Sequence, residues 1–302
     1  NLSRLEDLYL NDCSLTGTIP SSLGQLYKLH YLVLSSNLEL TGTIPAVLGN
    51  LSRLIDLELG CCSLTGTVPA SLGQLNNLES LLLHSNADLT GSIPTVFGDL
   101  SSLINLDLSN CSLTGTISTS ICELSQLQNV WISGNHLTGS VPSGFGQLTN
   151  LLELQLNNNL FTSNIPSSLS NLCSLVGLQL QSNFFSGDLN AVFNSTNQKY
   201  LTLLDISDNQ ITGQLPDEIF LLPKLDTIVA VSNCFSGTLP VVICNSTTMV
   251  SLILDGLQTA PACQQRLLPH TPSHSYSTTS SFNGHIPFCL FNMPNLISLH
   301  LS

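Results

Sequence analysis

Cysteine is the residue type whose spacing in this sequence first suggests chemistry. The stretch GCCSLTGTVPASLGQL, residues 60–75, carries adjacent thiols at Cys61 and Cys62. Paired thiols can form a redox centre or half of a metal site. Related stretches begin at Asn11 and Ser109, so that successive copies lie 49 residues apart (60 − 11 and 109 − 60). A motif repeated at a fixed period predicts an architectural role before a chemical one.

Cys13, Cys62 and Cys111 occupy the same position of the repeated stretch. Strands of one sheet lie about 4.8 Å apart, so thiols two repeats apart are separated by roughly 10 Å, beyond the reach of a disulfide. We expect these three side chains to be small buried thiols. Cys61 lies one residue earlier, near the rim of the sheet. Neither His nor Lys adjoins it in the sequence, so the pattern does not predict a catalytic cysteine.

Other cysteines flank or lie within an interruption of the repeat. Residues 255–281 insert a Ser-, Thr- and Pro-rich segment into the eleventh repeat, which predicts a surface loop. A disulfide from Cys263 to either Cys244 or Cys289 would hold this loop in place. The spacing of the Cys and His residues here matches no zinc motif, and we expect neither a metal site nor a cofactor.

The elements that position these residues come from one short repeat. The pattern L-x-x-L-x-L-x-x-N recurs about every 24 residues through about twelve units, the last of them incomplete. Each unit carries an L-x-L run of period two, which predicts one strand, and successive strands stack into a parallel sheet. The leucines point inward, and the Asn at the ninth position can satisfy backbone groups because its amide both donates and accepts. The period predicts an α/β leucine-rich-repeat solenoid.

The motif LTGxIPxxLxxLxxL resembles the plant-type leucine-rich repeat of receptor-like kinases, receptor-like proteins and polygalacturonase-inhibiting proteins. Its TGxIP part stands at residues 16–20, 41–45, 65–69, 90–94 and 138–142, with Val in place of Ile in the third and fifth of these copies. The resemblance implies a right-handed superhelix with a parallel sheet on its concave face. It also implies binding of peptides, glycans or proteins without catalytic residues. Because the chain begins and ends within a repeat, we expect residues 1–302 to be one solenoid truncated at both ends, a fragment of a longer protein.

Composition excludes several classes of partner. The formal net charge is −13 with only 6 Lys and Arg, which argues against nucleic acid and against an anionic membrane surface. No apolar run approaches the roughly 18 residues of a membrane span, so we expect no direct membrane insertion within this segment. Sparse charge, 10 cysteines and several N-glycosylation sequons favour a secreted or cell-surface protein carrying N-glycans. The sequons begin at Asn1, Asn50, Asn110, Asn194 and Asn245.

The candidate binding site is the central column of the concave face. We predict that it is formed by Tyr9, Val33, Glu58, Leu82, Asp107, Trp131 and Gln155. Trp131 is the single tryptophan, and an exposed aromatic side chain there suits a binding hot spot. Acidic units alternate with apolar units that hold an extra residue, in NLELTG and NADLTG, which predicts apolar ridges separated by acidic grooves.

These observations support two hypotheses for function. The first is an extracellular, non-enzymatic recognition module that binds a protein, peptide or glycan on the concave face. The alternative is a structural glycoprotein subunit of an extracellular fibre or cell wall, which would associate end to end because uncapped solenoids expose an apolar cross-section.

Overall fold

The computed structural model describes residues 2–254 and 287–301. Two compact units make up the chain, Asn1–Leu160 and Phe161–Ser302. Most repeats of each unit contain the same elements in the same order: a strand of the main sheet, a strand of a second sheet, and a short helical turn. No helical segment lies between Ser186–Gly187 and Leu203–Asp205. The parallel-sheet solenoid of leucine-rich repeats predicted from the sequence is therefore confirmed. The inserted segment 255–281 lies outside the described residues.

The main sheet of the first unit is parallel throughout. The Leu of each L-x-L run pairs with its equivalent in the next repeat, as Leu57 does with Leu32 and with Leu81. Strict period two therefore places the leucines on one face and their neighbours on the other. The strands are Asp7–Tyr9, Tyr31–Val33, Asp56–Glu58, Ser80–Leu82, Asn105–Asp107, Asn129–Trp131 and Glu153–Gln155.

A second parallel sheet and a series of 3-10 turns complete the first unit. The second strands are Thr16–Thr18, Glu39–Thr43, Ser63–Thr67, Leu89–Ser92, Ser112–Gly115 and His136–Gly139. The turns are Ser21–Gln25, Ala46–Asn50, Ala70–Gln74, Thr95–Asp99, Thr119–Glu123 and Ser143–Gln147. Proline precedes most of these turns, as Pro69 does with φ −67°, because its ring fixes the backbone angle required there. A short strand, Leu160–Phe161, lies at the division between the units.

The second unit uses the same plan with shorter second strands. Its main-sheet strands are Gly177–Gln179, Leu203–Asp205, Thr227–Val229, Ser251–Leu254 and Ser298–Leu301. The second strands are Ser186–Gly187, Gln210–Gly213 and Cys234–Phe235. The helical segments are the 3-10 turns Ser167–Asn171, Val241–Asn245 and Phe288–Asn292 and the α-helix Asp217–Phe220.

Leucine and phenylalanine side chains form the core of each unit. In the first unit Leu57, Leu81 and Leu106 are fully buried behind the main sheet, and Phe97 is fully buried behind the turns. Each such side chain contributes about 1.5–3 kcal/mol by leaving water. The inward positions are therefore reserved for packing, and only the outward positions remain available for other roles.

Buried asparagines at the ninth position of the repeat, which we call the ladder position, connect each repeat to the preceding one. Asn86 is fully buried, and its Oδ1 accepts a hydrogen bond from the Leu64 backbone N–H at 3.0 Å. Its Nδ2 donates to the Leu59 carbonyl at 2.9 Å and to the Leu83 carbonyl at 2.8 Å. One amide thereby satisfies buried backbone groups of two successive repeats. Equivalent bonds are made by Asn37, Asn135 and Asn159 in the first unit and by Asn209 and Asn233 in the second.

Where cysteine replaces this asparagine, the preceding repeat contains an extra residue. Cys62 is buried, as predicted, and its thiol donates to the Leu34 carbonyl at 3.4 Å. A thiol offers no amide oxygen, so the Leu40 N–H cannot be satisfied by the next repeat. The inserted residue lets that N–H donate to the Asn37 carbonyl of its own repeat at 2.9 Å. The arrangement recurs with Cys111, Leu83, Leu89 and Asn86.

Cys13 departs from the expectation of a buried thiol. It lies in the first described repeat, where its side chain is exposed. Cys62 and Cys111, by contrast, each contact a carbonyl of the repeat before them. The Cys13 sulfur donates to the Asn11 carbonyl at 3.3 Å.

We expect Asn86→Ala to lower the free energy of unfolding by about 3 kcal/mol or more. The substitution leaves the Leu64 N–H and the Leu59 carbonyl without these partners and the Leu83 carbonyl with only the weak Cys111 thiol contact, at about 1–3 kcal/mol for each lost bond. Cys111→Ala is the matched control at the same ladder position, and it should cost less because the thiol contacts at 3.6 Å are weak. Urea denaturation of both variants tests this expectation. Equal losses would contradict the role assigned to the asparagine.

Candidate functional site

The exposed face of the main sheet in the first unit is formed by the first and third residue of each strand. We call these two rows the sheet face. The first row is Asp7, Tyr31, Asp56, Ser80, Asn105, Asn129 and Glu153. The second row is Tyr9, Val33, Glu58, Leu82, Asp107, Trp131 and Gln155, the complete set of binding residues predicted from the sequence. The predicted residues therefore lie side by side in one row.

Members of the second row differ in how much surface they present. Tyr9 is 56% exposed, whereas Val33 is only 6% exposed and offers little to a partner. Glu58, Leu82, Asp107, Trp131 and Gln155 are all partly exposed. The order of acidic and apolar side chains along the row is the one expected from the alternating repeats, with the difference that Val33 is covered.

Aromatic rings mark one end of the sheet face. The rings of Tyr9 and Tyr31 stack with their centroids 6.0 Å apart and their planes at 24°. The Tyr31 ring has an acidic neighbour on either side in its own row, since Asp7 and Asp56 are its partners on the adjacent strands. This end therefore combines flat apolar surface with negative charge.

Asp56 and Glu58 lie two residues apart on one strand and so share one side of the sheet. The pKa of the Asp56 carboxyl rises from its usual 3.8 to about 6. Burial is the main cause, followed by the negative charge of Glu58 and a hydrogen bond to it. Asp56 Oδ1 is buried without a hydrogen-bond partner in the described chain. The site therefore holds a carboxyl group that an incoming donor can satisfy.

Trp131 lies between Asp107 and Gln155, its partners on the neighbouring strands. Asp107 is held in position because its Oδ1 accepts from the Ser109 N–H at 2.9 Å and from the Ser109 hydroxyl at 2.6 Å. Because both bonds end on Oδ1, the second carboxylate oxygen, Oδ2, can accept from another donor. Leu82 lies on the other side of Asp107. An oriented carboxylate thus separates two apolar side chains.

A neutral polar band runs beside this segment in the first row. Asn129 Nδ2 donates to Asn105 Oδ1 at 2.7 Å, and Asn105 Nδ2 donates to Ser80 Oγ at 2.9 Å. These side chains fix one another across three strands. They provide a rigid hydrogen-bonding surface next to the Trp131 ring.

Sequence reasoning missed one residue beside the sheet face. His84 approaches Cys61 from the following repeat, with Cys61 Sγ and His84 Nδ1 3.7 Å apart. Although the two residues are not adjacent in the sequence, Gly60 and His84 stand at equivalent positions of successive repeats, and stacking brings such positions together. The repeat alignment therefore contained the signal.

The second unit repeats one part of this chemistry. Asp205 Oδ1 accepts from the Ser207 N–H at 3.0 Å and from its hydroxyl at 2.6 Å, as Asp107 does with Ser109. Burial raises the pKa of the Asp205 carboxyl, while these hydrogen bonds lower it. The Asp-x-Ser pair is thus a recurring way to fix a carboxylate on the exposed face of a strand.

The prediction that Cys263 forms a disulfide with Cys244 or Cys289 is wrong. Cys244 and Cys289 are bonded to each other, with their Cα atoms 5.6 Å apart. Neither can therefore bind Cys263, which itself lies outside the described residues. The bridge joins the turns Val241–Asn245 and Phe288–Asn292, which flank the inserted segment. The disulfide therefore links the two sides of the insertion, and both of its sulfurs come from residues outside segment 255–281.

The predicted glycosylation sites differ in exposure. Asn50 and Asn245 are exposed at the last position of 3-10 turns, and Asn110 is also exposed. Asn194 is half-buried, and its Oδ1 accepts from the Thr196 N–H at 3.0 Å and the Thr196 hydroxyl at 2.6 Å. Asn1 lies outside the described residues. N-glycans at these positions stay a prediction.

Two further absences hold for the described residues. They contain no group of three His, Cys, Asp or Glu side chains placed to hold a metal ion. Across the same part of the chain, no helix is both long and apolar enough to cross a membrane.

Comparison with known sequences identifies the repeats. The family described as Leucine Rich Repeat matches residues 4–26, 102–124, 126–148 and 200–222. No curated protein sequence matches the chain significantly.

Comparison with solved structures identifies similar ectodomains. The chain is similar to the plant peptide hormone receptor RGFR1 in complex with RGF2, at 30% identity and a TM-score of 0.74, over 84% of this chain and 44% of that one. It is similar to the ectodomain of GASSHO1/SCHENGEN3 from Arabidopsis thaliana in complex with CASPARIAN STRIP INTEGRITY FACTOR 2, at 32% and 0.73, over 84% and 33%. The chain thus spans less than half of either receptor chain.

A shorter protein is matched over more of its length. The chain is 30% identical to a plant ice-binding protein, with a TM-score of 0.67, over 78% of this chain and 74% of that one.

We expect the free energy of unfolding to fall as the pH rises from 4 to 7, in part because of Asp56. Its folded pKa of about 6 lies above its unfolded value. The folded state therefore holds a proton that the unfolded chain has released, and this stabilisation is lost as the pH passes through 6. Asp56→Asn should make the stability difference between pH 4 and pH 7 smaller, measured by urea denaturation. The exposed Asp99→Asn is the control, and an unchanged difference in Asp56→Asn would contradict the assignment.

Proposed function

The chain belongs to the plant-type leucine-rich-repeat proteins, and we propose that it is an extracellular, non-enzymatic recognition module that binds its ligand on the sheet face. The observation that carries this proposal is the row of Leu82, Asp107, Trp131 and Gln155 in register. A partly exposed tryptophan beside an oriented carboxylate combines a large contact area with a directional acceptor. Such a combination is typical of residues that dominate binding energy.

Charge defines the partner expected on this face. Its two rows contain Asp7, Asp56, Glu58, Asp107 and Glu153 and neither Lys nor Arg. Opposite potentials steer association and like charges prevent it, so the face favours basic or neutral donors. We propose a protein or peptide ligand with exposed basic side chains, with glycans as the alternative class. The similar receptors are complexes with peptide hormones, which supports a peptide.

Glycosylation and localisation belong to the same proposal. Glycans on Asn50 and Asn245 would stand on turns, because each residue ends a 3-10 turn and lies on no strand. The sheet face would then stay open to a ligand. The receptor ectodomains similar to this chain support an extracellular location. The alternative of a fibre subunit would instead require end-to-end association, which sedimentation at micromolar concentration would detect.

We expect Trp131→Ala to weaken ligand binding by about 2 kcal/mol or more, roughly 30-fold in Kd. Leu82→Ala should also weaken binding. Gln179→Ala, at the equivalent row of the second unit, is the matched control and should change Kd little. The measurement uses short basic peptides selected from a library on the wild-type chain and titrated against each variant. If the selected peptides are indifferent to both Trp131→Ala and Leu82→Ala, the sheet face is not the binding site.

A second candidate function rests on the second sheet of the first unit. There the motif Thr-Gly-Thr or Thr-Gly-Ser places two hydroxyl side chains in each repeat, and all are exposed except the half-buried Thr65. We call this set the hydroxyl face. It comprises Thr16, Thr18, Thr41, Thr43, Thr65, Thr67, Thr90, Ser92, Thr114, Thr116, Thr138 and Ser140.

Side chains of the hydroxyl face are held in fixed positions. The Thr90 hydroxyl donates to the Gly66 carbonyl at 3.1 Å, and Thr41, Thr114 and Thr138 make the same bond to the preceding repeat. A Cβ added at Gly91 would lie 2.9 Å from Thr67 Cγ2, so the Thr67 methyl packs over that glycine. Thr67 and Thr90 are partners on neighbouring strands. The array is therefore regular as well as exposed.

This regularity suits the surface of ice. Hydroxyls on paired strands repeat at about 4.8 Å. In a tetrahedral water network with O···O distances of about 2.75 Å, next-nearest oxygens lie about 4.5 Å apart. Fixed hydroxyls and methyls at nearly that spacing can join an ice lattice. The similarity to a plant ice-binding protein supports this second candidate.

We expect the chain to partition into slowly grown ice, and the double variant Thr67→Lys with Thr90→Lys to lose most of this partitioning. The lysines interrupt the hydroxyl face while leaving the sheet face untouched. The control carries Thr95→Lys with Thr119→Lys, since both residues are exposed in 3-10 turns. The fraction of protein recovered in the ice is measured. Exclusion of the wild type from ice, or equal recovery of both double variants, would reject this candidate.

A further inference from the structure

Cys61 and His84 form a thiol–imidazole pair at the edge of the sheet face. Their Sγ and Nδ1 atoms lie 3.7 Å apart, and both side chains are partly exposed. The Cys61 N–H also donates to the His84 carbonyl at 2.8 Å, so two contacts join the same two residues. Ser85 Oγ lies 3.4 Å from the same imidazole nitrogen.

The local backbone makes room for this pair. A Cβ added at Gly60 would lie 2.5–2.8 Å from three atoms of the His84 ring, so the ring lies directly over that glycine. Cys61 itself has φ 53°, in the left-handed region that a cysteine seldom adopts. Glycine at position 60 therefore permits the imidazole to approach, and the turn at Cys61 directs the thiol to it.

Neither residue is needed for the repeat. At the positions equivalent to Cys61, the neighbouring odd repeats have Asp12 and Asn110, with φ 53° and 52°. Their N–H groups donate to the carbonyls of Ser35 and Ser133, which stand where His84 stands. The fold thus accepts Asp with Ser and Asn with Ser at this place. The thiol with the imidazole is an addition to the architecture and is not required by it.

The ladder thiols next to this pair have a different environment. Cys62 and Cys111 are each 6% exposed and donate to backbone carbonyls. Burial raises the pKa of both thiols, that of Cys111 to about 11. They therefore stay protonated at neutral pH, and a protonated thiol is a poor nucleophile. Cys61 is the thiol of the adjacent pair that has both solvent access and a nearby base.

We propose that Cys61 is a reactive thiol, activated by His84, which hydrogen peroxide oxidises to a sulfenic acid. The imidazole accepts the thiol proton, and the sulfur attacks one peroxide oxygen. The S–O bond forms as the O–O bond breaks, and the leaving hydroxide takes the proton back from the imidazolium as water. The thiol and hydrogen peroxide thus yield sulfenic acid and water, with sulfur oxidised and peroxide oxygen reduced. This site is independent of the ligand proposed for the sheet face.

The test compares thiols within one folded chain. The full chain is treated with hydrogen peroxide at pH 7 in the presence of a sulfenic-acid probe, and labelled peptides are counted by mass spectrometry. The internal control is Cys13, which is exposed but whose sulfur contacts the Asn11 carbonyl. We expect Cys61 to be labelled about tenfold or more faster than Cys13. General base catalysis typically contributes about 10²–10⁴-fold to a rate, so a ratio of this size needs only part of that contribution.

The variant His84→Ser removes the base and keeps the fold, since Ser109 and Ser133 occupy the equivalent position in the next repeats. We expect the labelling rate of Cys61 to fall to that of Cys13. Alkylation by iodoacetamide, followed over pH 5–9, should show the same difference without an oxidant. Equal rates for Cys61 and Cys13 in the wild type, or a Cys61 rate unchanged by His84→Ser, would overturn the proposal.

Discussion

The structure depends on satisfying the backbone groups that stacking buries between repeats. A strand of three residues followed by a sharp turn leaves N–H and C=O groups inside the solenoid, where an unmet hydrogen bond costs about 1–3 kcal/mol. The side-chain amide of Asn86 satisfies three of them at once. It bonds to Leu59 and Leu64 in the preceding repeat and to Leu83 in the repeat that contains Asn86. Because each amide spans two repeats, the ladder sets the spacing on which the leucine core and both outer faces rely.

Cysteine at the ladder position shows how strict this constraint is. Cys62 can donate a hydrogen bond but has no amide oxygen to accept one from the Leu40 N–H. One inserted residue lets that N–H donate instead to the Asn37 carbonyl within its own repeat. The changes in repeat length look like irregularities in the sequence. They accompany the ladder cysteines, because each buried ladder cysteine requires an extra residue in the repeat before it to satisfy a buried N–H. Up to Trp131, the same alternation places an acidic residue on the sheet face of each repeat with ladder cysteine and apolar residues on that of the others, whereas Glu153 follows in a repeat with ladder asparagine. The chemistry of the sheet face thus follows the ladder.

The remaining positions hold the side chains to which we assign the proposed functions of the first unit. On one sheet the outward side chains bring Trp131 beside Asp107, whose carboxylate Ser109 holds in place. On the second sheet they present fixed hydroxyls. At the boundary of the main sheet they join Cys61 to His84. All three arrangements use positions that the core and the ladder leave unspecified, which is why each can carry a separate chemistry on the same scaffold.

The sequence by itself determined the repeat, the strands, the inward leucines and the row that holds Trp131, because these follow from a period that is local and recurs along the chain. Only the tertiary structure decided the contacts that depend on register between repeats and on burial. It paired Cys244 with Cys289 in place of a bond to Cys263, covered Val33, and brought His84 over Gly60 to Cys61. A periodic pattern predicts which side of the sheet a residue faces, whereas the distance between two side chains depends on how successive repeats pack against each other.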